Sequence, residues 1–227
     1  MISSIFNALG RTRSYGGGWP TYNYRPLYLQ AFDFFSRNLG MIIPAIITLI
    51  ISLIVGFVIG AIGVALALAG LSIVAIEGVS FVIGLVSGII ITFLILIEAF
   101  EAMSVIGGGV PDLGLAWNST VNSAQKILPT ALLVGIIFGL LSAFRVPGSF
   151  IIEGLVLILV YIVASSIANG TRAGLGESLN WYSKAFSKDG LSSLILLLGG
   201  ILSLVPILNL FVIPYTEILA LLMIRHY

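Results

Sequence analysis

Apolar residues gather along the chain in six runs, at roughly 39–63, 80–103, 127–144, 150–168, 190–206 and 208–225. About 20 such residues are enough for one helix to cross the hydrocarbon core of a bilayer. The runs do not alternate with polar positions, which excludes a β-barrel and predicts membrane-spanning helices. Between Leu39 and Ile97 the only ionisable side chain is Glu77. A soluble core cannot hide a stretch of that kind. Residues 39–100 are apolar enough throughout to hold three short helices instead of two, and that reading gives seven spans.

Three segments carry a different pattern. They are PLYLQAFDFFSRN (26–38), LGLAWNSTVNSAQKI (113–127) and GESLNWYSKAFSKDG (176–190). Each has helical periodicity with one apolar face. In the second, Leu113, Trp117, Val121, Ala124 and Leu128 form the stripe. In the third, Leu179, Tyr182 and Phe186 share a face, with Trp181 and Ala185 beside them. In the first, Gln30, Asp33 and Arg37 lie on the polar side, and Asp33 and Arg37 are spaced for an i,i+4 ion pair. Such helices lie in the headgroup plane, with Trp117 and Trp181 as the natural interfacial anchors.

Each segment precedes a pair of apolar runs, so the pattern reads as an internal repeat. Trp117, Ser119 and Ser123 match Trp181, Ser183 and Ser187 at an offset of 64, and Gly135 falls on Gly199 at the same offset. The expected architecture is an all-α integral membrane protein. Six transmembrane helices form three hairpins, each preceded by an amphipathic interfacial helix. The units span about 26–103, 113–168 and 176–225 within a single membrane domain, 26–227. Residues 1–25, which combine Gly and Pro breakers with Tyr and Trp, read as an irregular cytoplasmic segment rather than a signal peptide.

Charge decides between six and seven spans. With six, Arg11, Arg13, Arg25, Arg37, Lys126, Arg172, Lys184, Lys188 and Arg225 share one side and Arg145 is alone on the other. With seven the split is five against five. The positive-inside rule therefore favours six spans in a cell membrane with both termini cytoplasmic. The N-x-T sequons at Asn118 and Asn169 fall on that cytoplasmic side and read as chance matches.

Composition fits. The chain of 227 residues is 59% hydrophobic and 8% charged, against about 25% charged in an average soluble domain. A net charge of +1 with no basic patch gives nucleic acid nothing to bind. There is no cysteine, which excludes disulfides, thiolate metal sites and cysteine nucleophiles. The one histidine is His226, so no histidine triad or two-histidine metal site can be built. No phosphate-binding glycine loop is present, and Asp33, Asp112 and Asp189 fall in loops or interfacial segments. The chain is expected not to be an enzyme and to hold no cofactor or metal. Its expected partners are membrane lipids, other membrane subunits or a second copy of itself.

Small residues at i,i+4 spacing recur within the runs: Gly56 and Gly60, Gly84 and Gly88, and Gly135 and Gly139. Such pairs let helix backbones approach closely in lipid, within one bundle or between two copies.

Ionisable residues at depth are the functional candidates. Glu98 and Glu101 share a helix face near the cytoplasmic end of the second run, with Lys126, Lys184 and Lys188 as candidate partners. They read either as a salt-bridge cluster holding the interfacial helices or as the mouth of an ion or proton path. Glu153 is placed for a peripheral pair with Arg145, and Glu77 for a solvated connector. Glu217 lies eight residues before Arg225, about 12 Å from the inner surface at helical rise. Pro214, one turn upstream, leaves the Leu210 carbonyl without its usual donor. That carbonyl, the Thr216 hydroxyl and the Glu217 carboxyl are expected to cluster near mid-membrane. They form either a proline kink with a hydrogen-bonded acid or a site of the kind secondary transporters use.

The last hairpin, LSLVPILNLFVIPYTEILALLMIRHY, has Pro206 and Pro214 flanking its outer turn, then a small-residue helix and a terminal aromatic. In this, and in its three helix–hairpin units, residues 26–227 resemble the six-span membrane domain attached to some glycerophosphodiester phosphodiesterases and related stand-alone membrane proteins of unknown function. The resemblance implies the fold. That family's catalytic residues belong to a separate barrel domain, for which this chain has no room. Two classes of function stay open. One is a non-catalytic membrane component or complex subunit with interfacial helices. The other is a small proton- or ion-coupled transporter using Glu217, Glu98 and Glu101.

Overall fold

The computed structural model describes residues 25–70, 73–171, 174–205 and 207–227. The predicted irregular segment lies outside these residues save Arg25, and so do Arg172 and Pro206. Every regular element among the described residues is helical. The helices are α1 (Leu27–Arg37), α2 (Ile42–Leu68), α3 (Ile73–Ile106), α4 (Leu113–Ala143), α5 (Ser149–Ala168), α6 (Leu175–Lys188), α7 (Gly190–Leu202) and α8 (Asn209–His226), with one 3-10 turn at Leu39–Met41.

Among the described residues four stretches are long and apolar enough to cross a membrane: Leu39–Leu66, Ala75–Ile106, Leu113–Ala143 and Ser149–Ala168. The last two predicted spans are lesser elements. Helix α7 has 13 residues, about 20 Å at helical rise, and α8 has 18 with Pro214 inside it.

Helix α1 follows its predicted stripe, burying Leu27, Ala31 and Phe35 at steps of four. It packs on α8, where the Tyr215 hydroxyl donates to the Tyr28 carbonyl at 3.2 Å. Asp33 pairs with Arg25 and not with Arg37, because Arg25 lies just before the helix and can fold back onto it.

The second amphipathic segment is not a separate helix. It runs without a break into the following apolar run as α4, 31 residues long, with Pro129 inside. Proline there removes one backbone hydrogen bond. The helix persists because a single inward stripe continues across it: Ala116, Thr120, Ser123, Ile127, Thr130, Val134 and Phe138 are all buried. Asp112 caps the start, accepting from the Leu115 N–H at 3.0 Å. The third segment does form its own helix, α6. The Glu177 carboxylate accepts from the Gly174 N–H at 3.1 Å at its start, and Asp189 caps α7 through the Ser192 N–H at 3.0 Å.

Helices α3, α5 and α8 pack against one another at the centre. Each outer helix lies against two of these three: α2 on α3 and α8, α4 on α3 and α5, α7 on α5 and α8. Glycines set the approach. A β-carbon on Gly88 would come within 2.8 Å of the Gly135 Cα, and one on Gly154 within 2.6 Å of the Ile201 Cα. Gly84 and Gly139 are closed by backbone in the same way, on Phe138 and Phe81 respectively. Gly56 and Gly60 differ, with nothing within 4 Å of an added β-carbon, so their spacing serves no contact in this fold.

The surface is inverted relative to a soluble protein. In α4 the predicted apolar stripe faces outward, with Trp117, Val121 and Leu128 exposed and Thr120 and Ser123 turned inward. In α6, Leu179 and Phe186 are exposed while Ser178 and Ala185 are buried. Phe57 on α2 is 80% exposed. Lipid is the solvent that suits such a surface, since close packing of small residues holds helices together where hydrocarbon surrounds them.

Candidate functional site: a carboxyl cluster among three helices

The three central helices bring together acids that are far apart in sequence. Glu98 of α3 and Glu217 of α8 are both fully enclosed, 1% and 0% exposed. Glu98 lies within electrostatic reach of both Glu101 and Glu217. Helix α5 completes the cluster: the Ser165 hydroxyl donates to Oε1 of Glu217. One turn away on the same face, the Tyr161 hydroxyl is within reach of Glu217 and Glu98. Both α5 groups are completely buried.

The cluster is short of hydrogen-bond partners. Both carboxyl oxygens of Glu98, Oε2 of Glu101 and Oε2 of Glu217 are buried without one. The Ala45 N–H, in the first turn of α2, faces Glu98 but falls short of a well-formed bond. Buried polar groups in folded proteins are almost always paired, with protein groups or with ordered water, so four carboxyl oxygens without a protein partner at one junction call for a proton, a water or another partner there.

Further polar groups lie on either side of the cluster. Toward the end of the bundle with the α5 start and the α7–α8 turn, the Tyr161 hydroxyl meets the Ser203 hydroxyl at 2.6 Å. Ser203 lines a cavity of about 450 Å³ that also contains Ser87, Ser142, Glu153 and Asn209. Toward the opposite end, Glu101 lies within electrostatic reach of Asp112, which is exposed. At that end Arg225 donates to Asn169 at 3.2 Å and to the Met103 sulfur at 2.7 Å, tying the ends of α8, α5 and α3 together.

Several sequence expectations are corrected. Ser165 is four residues from Asn169 and Glu98 five from Met103, about 6–8 Å at helical rise from the residues that Arg225 ties together. Thr216 does not join Glu217. It faces Gly199 of α7, because successive helical residues point about 100° apart, and its hydroxyl has no hydrogen-bond partner. Pro214 is buried inside α8. Lys126 and Lys184 are exposed, and Lys188 sits over the Tyr227 ring at 5.5 Å. None forms an ion pair with Glu98 or Glu101; among the described residues the one ion pair is Arg25–Asp33. Glu153 faces the cavity and the Ser149 hydroxyl, while Arg145 is exposed in the α4–α5 turn. Of the two anchors, Trp117 is exposed and Trp181 half-buried against the core.

Tyr161, Ser165, Ser203 and Asn209 did not emerge from the sequence reading. A tyrosine and a serine at i,i+4 in the second half of a largely apolar helix were the available signal. Among the described residues no group of three or more His, Cys, Asp or Glu is placed to share a metal ion. Comparison of the chain with protein-family models, curated proteins and solved structures finds no match.

Proposed function

We propose that this chain is a six-span membrane protein that couples proton movement to the passage of a small solute. The single observation that carries the reading is the set of four unpaired carboxyl oxygens on Glu98, Glu101 and Glu217, buried where three helices meet. Leaving polar groups unpaired in an apolar interior costs free energy, more so for charged ones. A purely structural membrane component leaves that cost unexplained. Protons or cations are what such a cluster takes up, and ionisable residues inside a bundle commonly mark relays. The polar groups on either side supply the route: Ser203 and Tyr161 toward the cavity, Glu101 and Asp112 toward the opposite end.

In this reading α7 and α8 complete six spans, and the units of the repeat are the pairs α2–α3, α4–α5 and α7–α8. The packing supports it, since the second helix of every pair is central and the first is outer. Both termini then lie on the cytoplasmic side, with Arg37, Lys126, Lys184, Lys188 and Arg225 at one end of the bundle and Arg145 at the other. Likeness to the six-span domain of the phosphodiesterases stays a proposal about fold.

The test is chemical and direct. A hydrophobic carbodiimide attacks protonated carboxyls in apolar surroundings. Dicyclohexylcarbodiimide added to the purified chain in lipid should modify Glu98 or Glu217 before Glu77 or Glu177, as read by peptide mass spectrometry. Modification confined to the latter two overturns the proposal.

A further inference from the structure

The cavity beside Ser203 has a chemistry of its own. It is a groove lined by five helices and the α7–α8 turn, open to the surface along Leu53, Gly56 and Ser87, with a lining dominated by aliphatic and aromatic side chains such as Leu53, Ile83, Ile90 and Phe138. Its volume of about 450 Å³ is within the range of small-molecule sites. Ser87 lies along α3, and the other polar groups belong to residues at or near the helix ends beside the turns. These others are the Glu153 carboxyl, the Asn209 amide and the hydroxyls of Ser142 and Ser203. No lysine, arginine or histidine lines it.

The polar groups are also available. Oδ1 of Asn209 is buried and accepts no hydrogen bond. Glu153 has the Ser149 hydroxyl as a neighbour and no ion-pair partner among the described residues. Ser203 is committed, since its hydroxyl bonds the Gly199 carbonyl at 2.6 Å and meets Tyr161. The functions facing the groove are thus the Glu153 carboxyl, which also accepts from Ser149, and the Asn209 amide oxygen, both acceptors, beside an apolar lining. An ammonium group supplies what these lack, a positive charge and N–H donors, and a hydrocarbon body fills the remainder.

We infer that this cavity is a binding site for amphipathic organic amines, with Glu153 the counter-charge and Asn209 the hydrogen-bond acceptor. The inference deepens the carrier reading by naming its solute class, and Tyr161–Ser203 is the contact between this site and the carboxyl cluster. Binding itself does not require that protons move.

The experiment is equilibrium dialysis of radiolabelled decylamine against the full chain in lipid nanodiscs, with decanol and decanoate as the neutral and anionic counterparts and empty nanodiscs as the partition control. Saturable decylamine binding is expected, at least tenfold tighter than that of either counterpart. Glu153→Gln should lose most of this preference while keeping its melting temperature. A second variant, Ser87→Trp, fills the chamber from α3 and should abolish saturable binding of all three. Equal binding of decylamine and decanol, or of decylamine to wild type and Glu153→Gln, overturns the assignment and leaves a lipid-filled apolar crevice. Saturable decylamine binding by a protein that dissipates a proton gradient no faster than empty liposomes given the same decylamine would sink the carrier reading and keep the site. Proton flux without decylamine binding would do the reverse.

Discussion

The hydroxyl of Ser165 on α5 donates to the carboxyl of Glu217 on α8, across 52 residues of sequence and with both side chains fully buried. This bond links two of the three central helices at the level where the third places Glu98. Ser165→Ala removes it and adds a further unpaired carboxyl oxygen. The variant should lose about 1–3 kcal/mol of stability, the usual cost of stranding a buried polar group. Thermal unfolding in mild detergent measures it, and an unchanged midpoint would show that the bond contributes nothing.

The glycine pairs should separate into two kinds. Gly88→Ala places a methyl 2.8 Å from the Gly135 Cα, where only backbone could give way, so α3 and α4 must move apart. Overpacking of this sort costs about 1–3 kcal/mol. Gly60→Ala meets nothing within 4 Å on α2 and should be neutral or stabilising by up to about 1 kcal/mol. Unfolding midpoints that fall equally for both would contradict the packing described here.

Why the spans were legible and the site was not follows from these two cases. Apolar runs and small-residue spacing are local, so the helices and the glycine pairs that turn out to form the tight α3–α4 seam can be read along the chain. Spacing does not tell which face meets a neighbour, however, and Gly56 and Gly60 repeat the motif with no partner. The stripes of α4 and α6 were equally visible, but their outward direction depends on Thr120, Ser123 and Ser178 packing inward. Glu98 and Glu217 stood out as lone acids. Their companions did not, because Ser165 and Tyr161 acquire meaning only when α5 is placed between α3 and α8. Thr216 was misplaced for the complementary reason: adjacency in sequence puts residues on different faces of a helix.

Orientation can be tested with introduced cysteines, since the chain has none. Val110 and Gly176 are exposed at the end rich in lysine and arginine, and Pro147 is exposed at the other. In intact cells Pro147→Cys should react with an impermeant maleimide, and Val110→Cys and Gly176→Cys should react only after permeabilisation. Labelling of Val110→Cys from outside would reverse the topology.

Docking of α6 should weaken in alkali. The Tyr182 hydroxyl donates to the Ser193 carbonyl at 2.8 Å, and burial pushes its pKa up from the ordinary value. A free tyrosine ionises near pH 10. The folded protein holds the proton longer than the undocked segment does. This contribution is therefore complete below about pH 10 and declines as pH rises through and above it. Hydrogen exchange in 175–188, corrected for intrinsic rates, should rise above pH 10 in wild type and be pH-independent in Tyr182→Phe. The same pH response in both would remove Tyr182 from the account.

The central claim is that Glu98 and Glu217 carry protons. Proteoliposomes containing the chain, a trapped pH indicator and an imposed proton gradient test it, with decylamine present as the candidate solute. Wild type should dissipate the gradient faster than empty liposomes. Glu217→Gln and Glu98→Gln, checked for folding by their melting curves, should each reduce the excess over empty liposomes given the same decylamine at least tenfold. Equal rates for wild type, both variants and empty liposomes would contradict the claim.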